Sequence, residues 1–190
     1  MTSKPSAYLA GPEVFLPDPM AAGRAKREIC ARHGLEGIFP LDSALDLSGL
    51  EPQAAGLAIY RANRQIMERC DLILANLTPF RGPSADVGTV FEVGFMRGLG
   101  RPVFAYSNVA DIFSARTRAW IGDASASRDA QGMEVEDFGL IDNLMIDGAC
   151  ADFENGIVTQ ATPLDRRFTD LAAFERCVVA AAAYLAERPA

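Results

Sequence analysis

Along this chain, short runs of consecutive apolar residues alternate with longer stretches in which apolar positions recur every three or four residues, and that alternation predicts most of the elements. Ser6-Ala-Tyr-Leu-Ala10, ahead of Gly11-Pro12, reads as a short buried strand running into a loop. Residues 19–34 carry the helical period, with Gly34 as the residue that ends it. Leu35 to Phe39 is a second strand closed by Pro40, and residues 41–54 mix Asp, Ser, Gly and Pro without periodicity, as a surface loop does. Residues 55–70 are helical through Leu57, Tyr60, Ile66 and Met67. Asp71-Leu-Ile-Leu-Ala-Asn-Leu77 is the most strand-like run, and its near-continuous apolar character suits a central parallel strand covered on both faces. Two prolines and a glycine make residues 78–84 a loop, after which a helix from about Asp86 to Leu99 and a strand over residues 101–106 are expected.

Residues 107–140 are polar and poor in strand signal, and a structureless loop of that length is uncommon in a compact domain unless it is functional. Phe168, Leu171, Phe174, Val178, Ala181 and Leu185 mark a closing amphipathic helix from Asp165 to about Glu187. Strand–helix alternation throughout predicts an α/β sheet with helices on both faces, in one domain over residues 1–190 with a long excursion at 107–140. No internal repeat is visible.

Composition changes this picture by exclusion. The 190 residues are 49% apolar and 23% charged, with 16 Gly and 11 Pro, which is the make-up of an ordinary folded domain. The net charge is −7, and Lys4 and Lys26 are the lysines among scattered arginines, so a phosphate backbone or an anionic membrane is repelled on average. Small-molecule chemistry is expected instead. Cys30, Cys70, Cys150 and Cys177 are far apart and His33 is the sole histidine, which leaves no material for a Cys/His zinc site and none for a Ser-His-Asp or Cys-His constellation. His33 sits where a helix should end, a position that favours a cation for dipole reasons. The start of the chain lacks an apolar signal core and no run of about 18 apolar residues occurs, so a cytoplasmic protein with reduced cysteines is expected.

Any catalysis must then rest on carboxylates. In a parallel sheet the ligand crevice lies beyond the C-terminal ends of the strands, where the loops after residues 10, 77 and 106 bring Tyr8, Gly11, Pro12, Asn76, Phe80, Arg81, Asp86 and Glu92 together. No Gly-x-Gly-x-x-Gly follows the first strand and no Walker loop is present, so a carboxylate-lined site is favoured over a phosphate cradle. Glu92, in the first turns of a helix whose dipole would stabilise its anion, has the form a nucleophile requires. Thr89-x-x-Glu92 fits a capping box equally well. Gly88, Gly94 and Gly98 each cost about 1 kcal/mol relative to Ala in a helix, which close packing or an approaching ligand must offset.

Asp86 reads as a capping side chain or a second carboxylate, and Tyr8 as a half-buried strand aromatic or a hydroxyl serving the site. Two carboxylates, a Tyr hydroxyl and an open loop suggest glycosyl transfer, with Phe15, Phe80 and Phe91 holding a planar leaving group. On physics alone Asn63 is a solvated helix residue, Asn143-Leu-Met145 is a cap entering a short apolar stretch, and Arg81 is a flexible loop cation.

Four blocks go further: Tyr8-Leu-Ala-Gly-Pro12, Asp71 to Gly82, Asp86-Val-Gly-Thr-Val-Phe-Glu-Val-Gly-Phe-Met-Arg97, and Asp142-Asn-Leu-Met-Ile146. In these, and in their order, the chain resembles the nucleoside 2′-deoxyribosyltransferase family. The resemblance implies a flavodoxin-like α/β fold and transfer of a 2-deoxyribosyl group between nucleobases with retention, through a covalent intermediate on Glu92. Tyr8 would orient Glu92, and Asp86 would bind a sugar hydroxyl and help with proton traffic. Gly11, Phe15, Asn63, Phe80, Arg81 and Gly88 are the expected substrate contacts, joined by Asn143 and Met145 donated from a neighbouring subunit of an oligomer. A nucleoside and a free base would be the partners. No metal or cofactor is expected, because an oxocarbenium-like transition state needs nearby negative charge and a stabilised leaving base. Asn63 falls near the position where some members carry a base-contacting Asp, which leaves base preference open. An N-glycosidase acting on a nucleoside or its 5′-monophosphate, and a nucleotide-sensing module without turnover, are the alternatives.

Overall fold

A computed structural model describes residues 4–42, 45–152 and 156–187. Five parallel strands form one sheet: β1 (Ser6–Ala10), β2 (Glu36–Ile38), β3 (Leu72–Asn76), β4 (Val103–Ser107) and β5 (Ile157–Thr159), in the spatial order β2-β1-β3-β4-β5. Helices α1 (Pro19–Arg32) and α6 (Ala172–Ala186) cover one face, and α2 (Pro52–Arg69), α3 (Val87–Gly98) and α5 (Leu144–Ala151) cover the other. This is the flavodoxin-like order expected from the resemblance. Every residue of β3 and β4 is buried, as their unbroken apolar runs require of strands covered on both sides. After β1 the chain adds β2 on one side and returns to add β3 on the other, so the crevice of such a sheet opens between the ends of β1 and β3.

Helix boundaries follow local chemistry. Asp18 caps α1 by accepting from the Ala21 amide at 2.8 Å, with Pro19 at the first helical position. His33 is the C-terminal cap residue of α1 and sits 3.1 Å from Glu175, as its place at a helix end suggested. All four cysteines are buried and free.

The structure departs from the periodicity in four places. Helix α2 begins at Pro52, three residues before its apolar stripe, because proline is well suited to a first turn. Of the loop expected over 41–54, residues 43 and 44 lie outside the described residues. The closing helix begins at Ala172; Leu164–Arg166 is a separate 3-10 turn, so Phe168 lies outside α6. Strand β5 is three residues long, too short to carry a period, and pairs with the end of β4. The excursion at 107–140 is ordered: it holds α4 (Phe113–Ile121) and an antiparallel bridge between Arg128 and Glu134.

Beneath the strand ends runs a buried polar network. Glu13, in the 3-10 turn Pro12–Phe15, forms an ion pair with Lys26 of α1, and both side chains are inaccessible to solvent. The same Glu13 oxygen accepts from Asn76 Nδ2 at 2.8 Å and from the Tyr106 hydroxyl at 2.9 Å. Asn76 in turn accepts from the Thr78 amide, and Thr78 accepts from the Asn108 amide. The chain segments leaving β1, β3 and β4 are thereby tied to one another. Gly11 lies against this network: a Cβ there would stand 2.0 Å from the second Glu13 oxygen and 2.8 Å from Asn76 Cβ. Among the candidates for the crevice, Asn76 therefore belongs to its foundation, and Pro12 is buried in the turn that carries Glu13.

A buried charge left without its partner costs about 3–5 kcal/mol, whereas removing both charges together is close to neutral. Lys26→Met should destabilise the fold by that amount in urea unfolding, and Glu13→Gln combined with Lys26→Met should recover most of the loss.

Candidate active site

A cleft of about 320 Å³ opens at the β1/β3 end of the sheet. Gly11, Val14 and Phe15 line it from the segment after β1, Pro40 and Leu41 from the segment after β2, Ile59 and Asn63 from α2, and Asp86, Gly88, Thr89 and Glu92 from the start of α3. Tyr8 lies buried beneath. Strand alternation turns Tyr8 toward the face that carries α3, and its hydroxyl donates to Glu92 Oε1 at 2.6 Å.

The structure decides between the two readings of Glu92. The N-cap of α3 is Asp86, whose Oδ2 accepts from the Thr89 amide at 3.0 Å and the Thr89 hydroxyl at 3.1 Å. Thr89 is thus a third helical residue and not a cap, so no capping box exists, and the Glu92 carboxylate turns inward to Tyr8. The expected dipole stabilisation is also small, because Glu92 is the sixth helical residue and the effect is confined to the first turn. Asp86 shares a wall with Glu92 because, as the cap, it stands just outside the regular helix.

Burial pushes the Glu92 carboxyl up to about 7; the Tyr8 hydrogen bond opposes that rise and the Asp86 carboxylate adds to it. Tyr8 itself is driven far above the usual phenol range by burial and by the neighbouring Glu92, so it remains a neutral donor and a poor acid. The arrangement is a carboxylate held by one strong hydrogen bond, half shielded from water, with a second carboxylate beside it.

Gly88 lines the cleft, and a Cβ there would come within 3.1 Å of the Asp86 carboxylate. Gly94 has nothing within 4 Å of its would-be Cβ and does not line the cleft. Asn63 is not a solvated helix residue: it lines the cleft, and its Oδ1 is buried with no hydrogen-bond partner among the described residues. Phe80 and Arg81 lie at the margin. Phe15 and Phe80 stack at 5.5 Å with planes 8° apart, and the Arg81 guanidinium stands 4.6 Å from the Phe80 ring and 5.2 Å from Phe15. Arg81 is therefore packed against rings, and its φ of +56° is an uncommon backbone conformation for a side-chain-bearing residue. Phe91 points elsewhere, contacting Tyr60 and Phe95.

Asn143 and Met145 stand at the start of α5 and do not line this chain's own cleft. Asn143 caps α5, accepting from the Met145 amide at 3.0 Å while its Nδ2 donates to Glu136 at 2.6 Å, and Met145 is 73% exposed. Val14, Pro40, Leu41 and Ile59 were missed as lining residues, since isolated apolar positions carry no chemical signal. Among the described residues no group of three His, Cys, Asp or Glu side chains is placed to hold a metal, and no helix is long and apolar enough to cross a membrane.

Residues 7–145 match the sequence profile of the family described as nucleoside 2-deoxyribosyltransferase. The chain belongs to that family. It is 33% identical over 161 residues to the uncharacterized protein C191.05c of Schizosaccharomyces pombe, covering 76% of each chain. Its fold is similar to that of a 2-desoxiribosyltransferase from Leishmania mexicana, with a TM-score of 0.63, 25% identity, and coverage of 98% of this chain and 99% of the other.

The elevated Glu92 carboxyl has a consequence for stability. Its folded-state value lies above its unfolded one, so between about pH 4.5 and about 7 the native state keeps a proton that the unfolded chain has lost, and stability falls as pH rises through that window. Glu92→Gln should therefore be more stable than the natural protein at pH 8, on the order of 2 kcal/mol, and nearly equal to it at pH 4. Thermal unfolding at the two pH values measures this.

Proposed function

We propose that this protein is a pentosyltransferase that moves a 2-deoxyribosyl group from one nucleobase to another by way of Glu92. The observation that carries the reading is the 2.6 Å hydrogen bond from Tyr8 to Glu92 on the wall of a cleft that Asp86 shares. Family membership supports the same chemistry.

In the first step Glu92 attacks the anomeric carbon, a glycosyl ester bond forms, and the carbon–nitrogen bond breaks with its electron pair passing to the departing base, which takes up a proton. A nitrogen of the second base then attacks the same carbon from the vacated face. The ester bond breaks, Glu92 regains its charge, and the incoming base loses its proton. Two inversions give net retention. Tyr8 holds one Glu92 oxygen in place and leaves the other for attack. Asp86 has its Oδ2 committed to the cap, which leaves Oδ1 for a sugar hydroxyl. Phe15 offers a flat surface to a base, backed by Phe80 and Arg81. Asn63 brings an amide with both a donor and an acceptor to the base end of the cleft, but no proton to give. Met145, exposed beside Asn143, supports completion of the sugar end by a second subunit; both polar atoms of Asn143 keep the capacity for one more hydrogen bond each.

Incubation with a deoxynucleoside and a different free base should yield the exchanged nucleoside by chromatography, and Glu92→Ala should lower the rate by at least about a thousandfold. Free base without new nucleoside would mark water as the acceptor and favour the N-glycosidase. Absence of turnover with ligand-induced stabilisation retained in Glu92→Ala would favour the binding module.

The nucleophile must be ionised, so kcat/KM should fall on the acid side of about pH 7. Tyr8→Phe removes the bond that favours the Glu92 anion and should move that limb to higher pH, whereas Asp86→Asn should move it lower. A pH–rate series on the three proteins reads both shifts.

A further inference from the structure

The segment between β3 and α3 ends on Asp86, and a buried carboxylate far along the chain holds it there. Asp142 is fully buried. Its Oδ1 accepts from the Ser84 hydroxyl at 2.5 Å and the Asn143 amide at 2.8 Å. Its Oδ2 accepts from the Ala85 amide at 3.1 Å and from Arg116 Nη2 of α4 at 3.2 Å. Arg116 also donates through Nε to the Pro83 carbonyl at 2.7 Å. The three residues that precede Asp86 are thus each gripped by Arg116 or Asp142.

The cap bonds from Asp86 to Thr89 are local and would form wherever α3 begins. They do not set the path by which the chain enters the helix. Asp86 stands beside Glu92 on the cleft wall, and its negative charge raises the cost of ionising Glu92. With its lead-in free, Asp86 would relax away from Glu92. A charge pair buried this well is costly to desolvate and is weak evidence for stability in its own right; what it supplies here is a fixed path for residues 83–85.

We propose that Arg116 and Asp142 are a positioning pair, holding residues 83–85 so that Asp86 stays against Glu92. The excursion at 107–140 then has a role in the site. It carries Arg116 on α4, is braced by the ion pair of Arg118 with Asp137 at 2.7 Å, and ends with Glu136 gripping Asn143 Nδ2 and the Leu144 amide. Neither Arg116 nor Asp142 lines the cleft, so both act through Asp86. The inference rests on the reading of Glu92 as nucleophile.

The test is the acid limb of kcat/KM in Asp142→Asn, Arg116→Gln and Ser84→Ala. If these residues act on Glu92 only through their electric field, removing the negative charge moves the limb down, removing the positive charge moves it up, and Ser84→Ala leaves it in place. If they act by position, all three release the lead-in, Asp86 withdraws, and the limb moves down in every variant by roughly half a pH unit, with KM for the nucleoside rising. Opposite shifts in Asp142→Asn and Arg116→Gln, or an unmoved limb in Ser84→Ala, would overturn the proposal. Should Asp142→Asn fail to fold, Arg116→Gln and Ser84→Ala still separate the two accounts. Carbon-13 NMR of the Glu92 carboxyl, assigned against Glu92→Gln, follows the same titration without substrate. Absence of transfer in the natural protein would then overturn the functional reading while the clamp remained measurable.

Discussion

The site depends on keeping a carboxylate out of water without making it useless. Glu92 is shielded enough that its ionisation is costly, and one hydrogen bond from Tyr8 offsets part of that cost. That bond is possible because a residue in the middle of β1 reaches up to a helix 84 positions later in the chain. A strand supplies the donor because its backbone is locked on both sides by parallel partners, which leaves the tyrosine ring little freedom. A donor on a surface loop would give the same chemistry with less certainty of place.

Around that bond the fold builds outward in two buried charge systems. Glu13 and Lys26 gather the segments leaving β1, β3 and β4 on one side of the sheet, and Arg116 and Asp142 hold the approach to α3 on the other. Both consist of a carboxylate with more than one donor besides its cation, the condition under which a buried charge is tolerated. Neither system lines the cleft through its cation. They act by settling where the lining residues stand, and they join parts of the chain that no local propensity would bring together.

Much of this was legible beforehand. The apolar runs of β1, β3 and β4 and the capping readings of Asp86 and Asn143 follow from local pattern, whereas a site role for Glu92 came from the family resemblance, its local spacing fitting a cap as well. The errors were informative. Thr89-x-x-Glu92 has the spacing of a capping box, yet the helix starts three residues earlier at Asp86, a better cap with chain on its N-terminal side held in place by Asp142. Arg81 reads as a loose loop cation until Phe15 and Phe80, 65 residues apart, stack beside it. Asn63 reads as solvated until a cleft opens against α2. Lys26 looks like any helical lysine and is fully buried.

By itself the sequence determined the alternation of strands and helices, a supply of a single histidine, and the carboxylate near the start of α3, because these depend on spacing and residue type within a few turns of chain. Only the tertiary structure decided that the Tyr8 hydroxyl reaches Glu92 as the resemblance implied, that Asn63 Oδ1 lies buried with no hydrogen-bond partner among the described residues, and which charges lie buried. Those outcomes depend on register between strands and on contacts across 26 to 93 residues of chain, and a side chain's burial is a property of what packs over it, which no local pattern records.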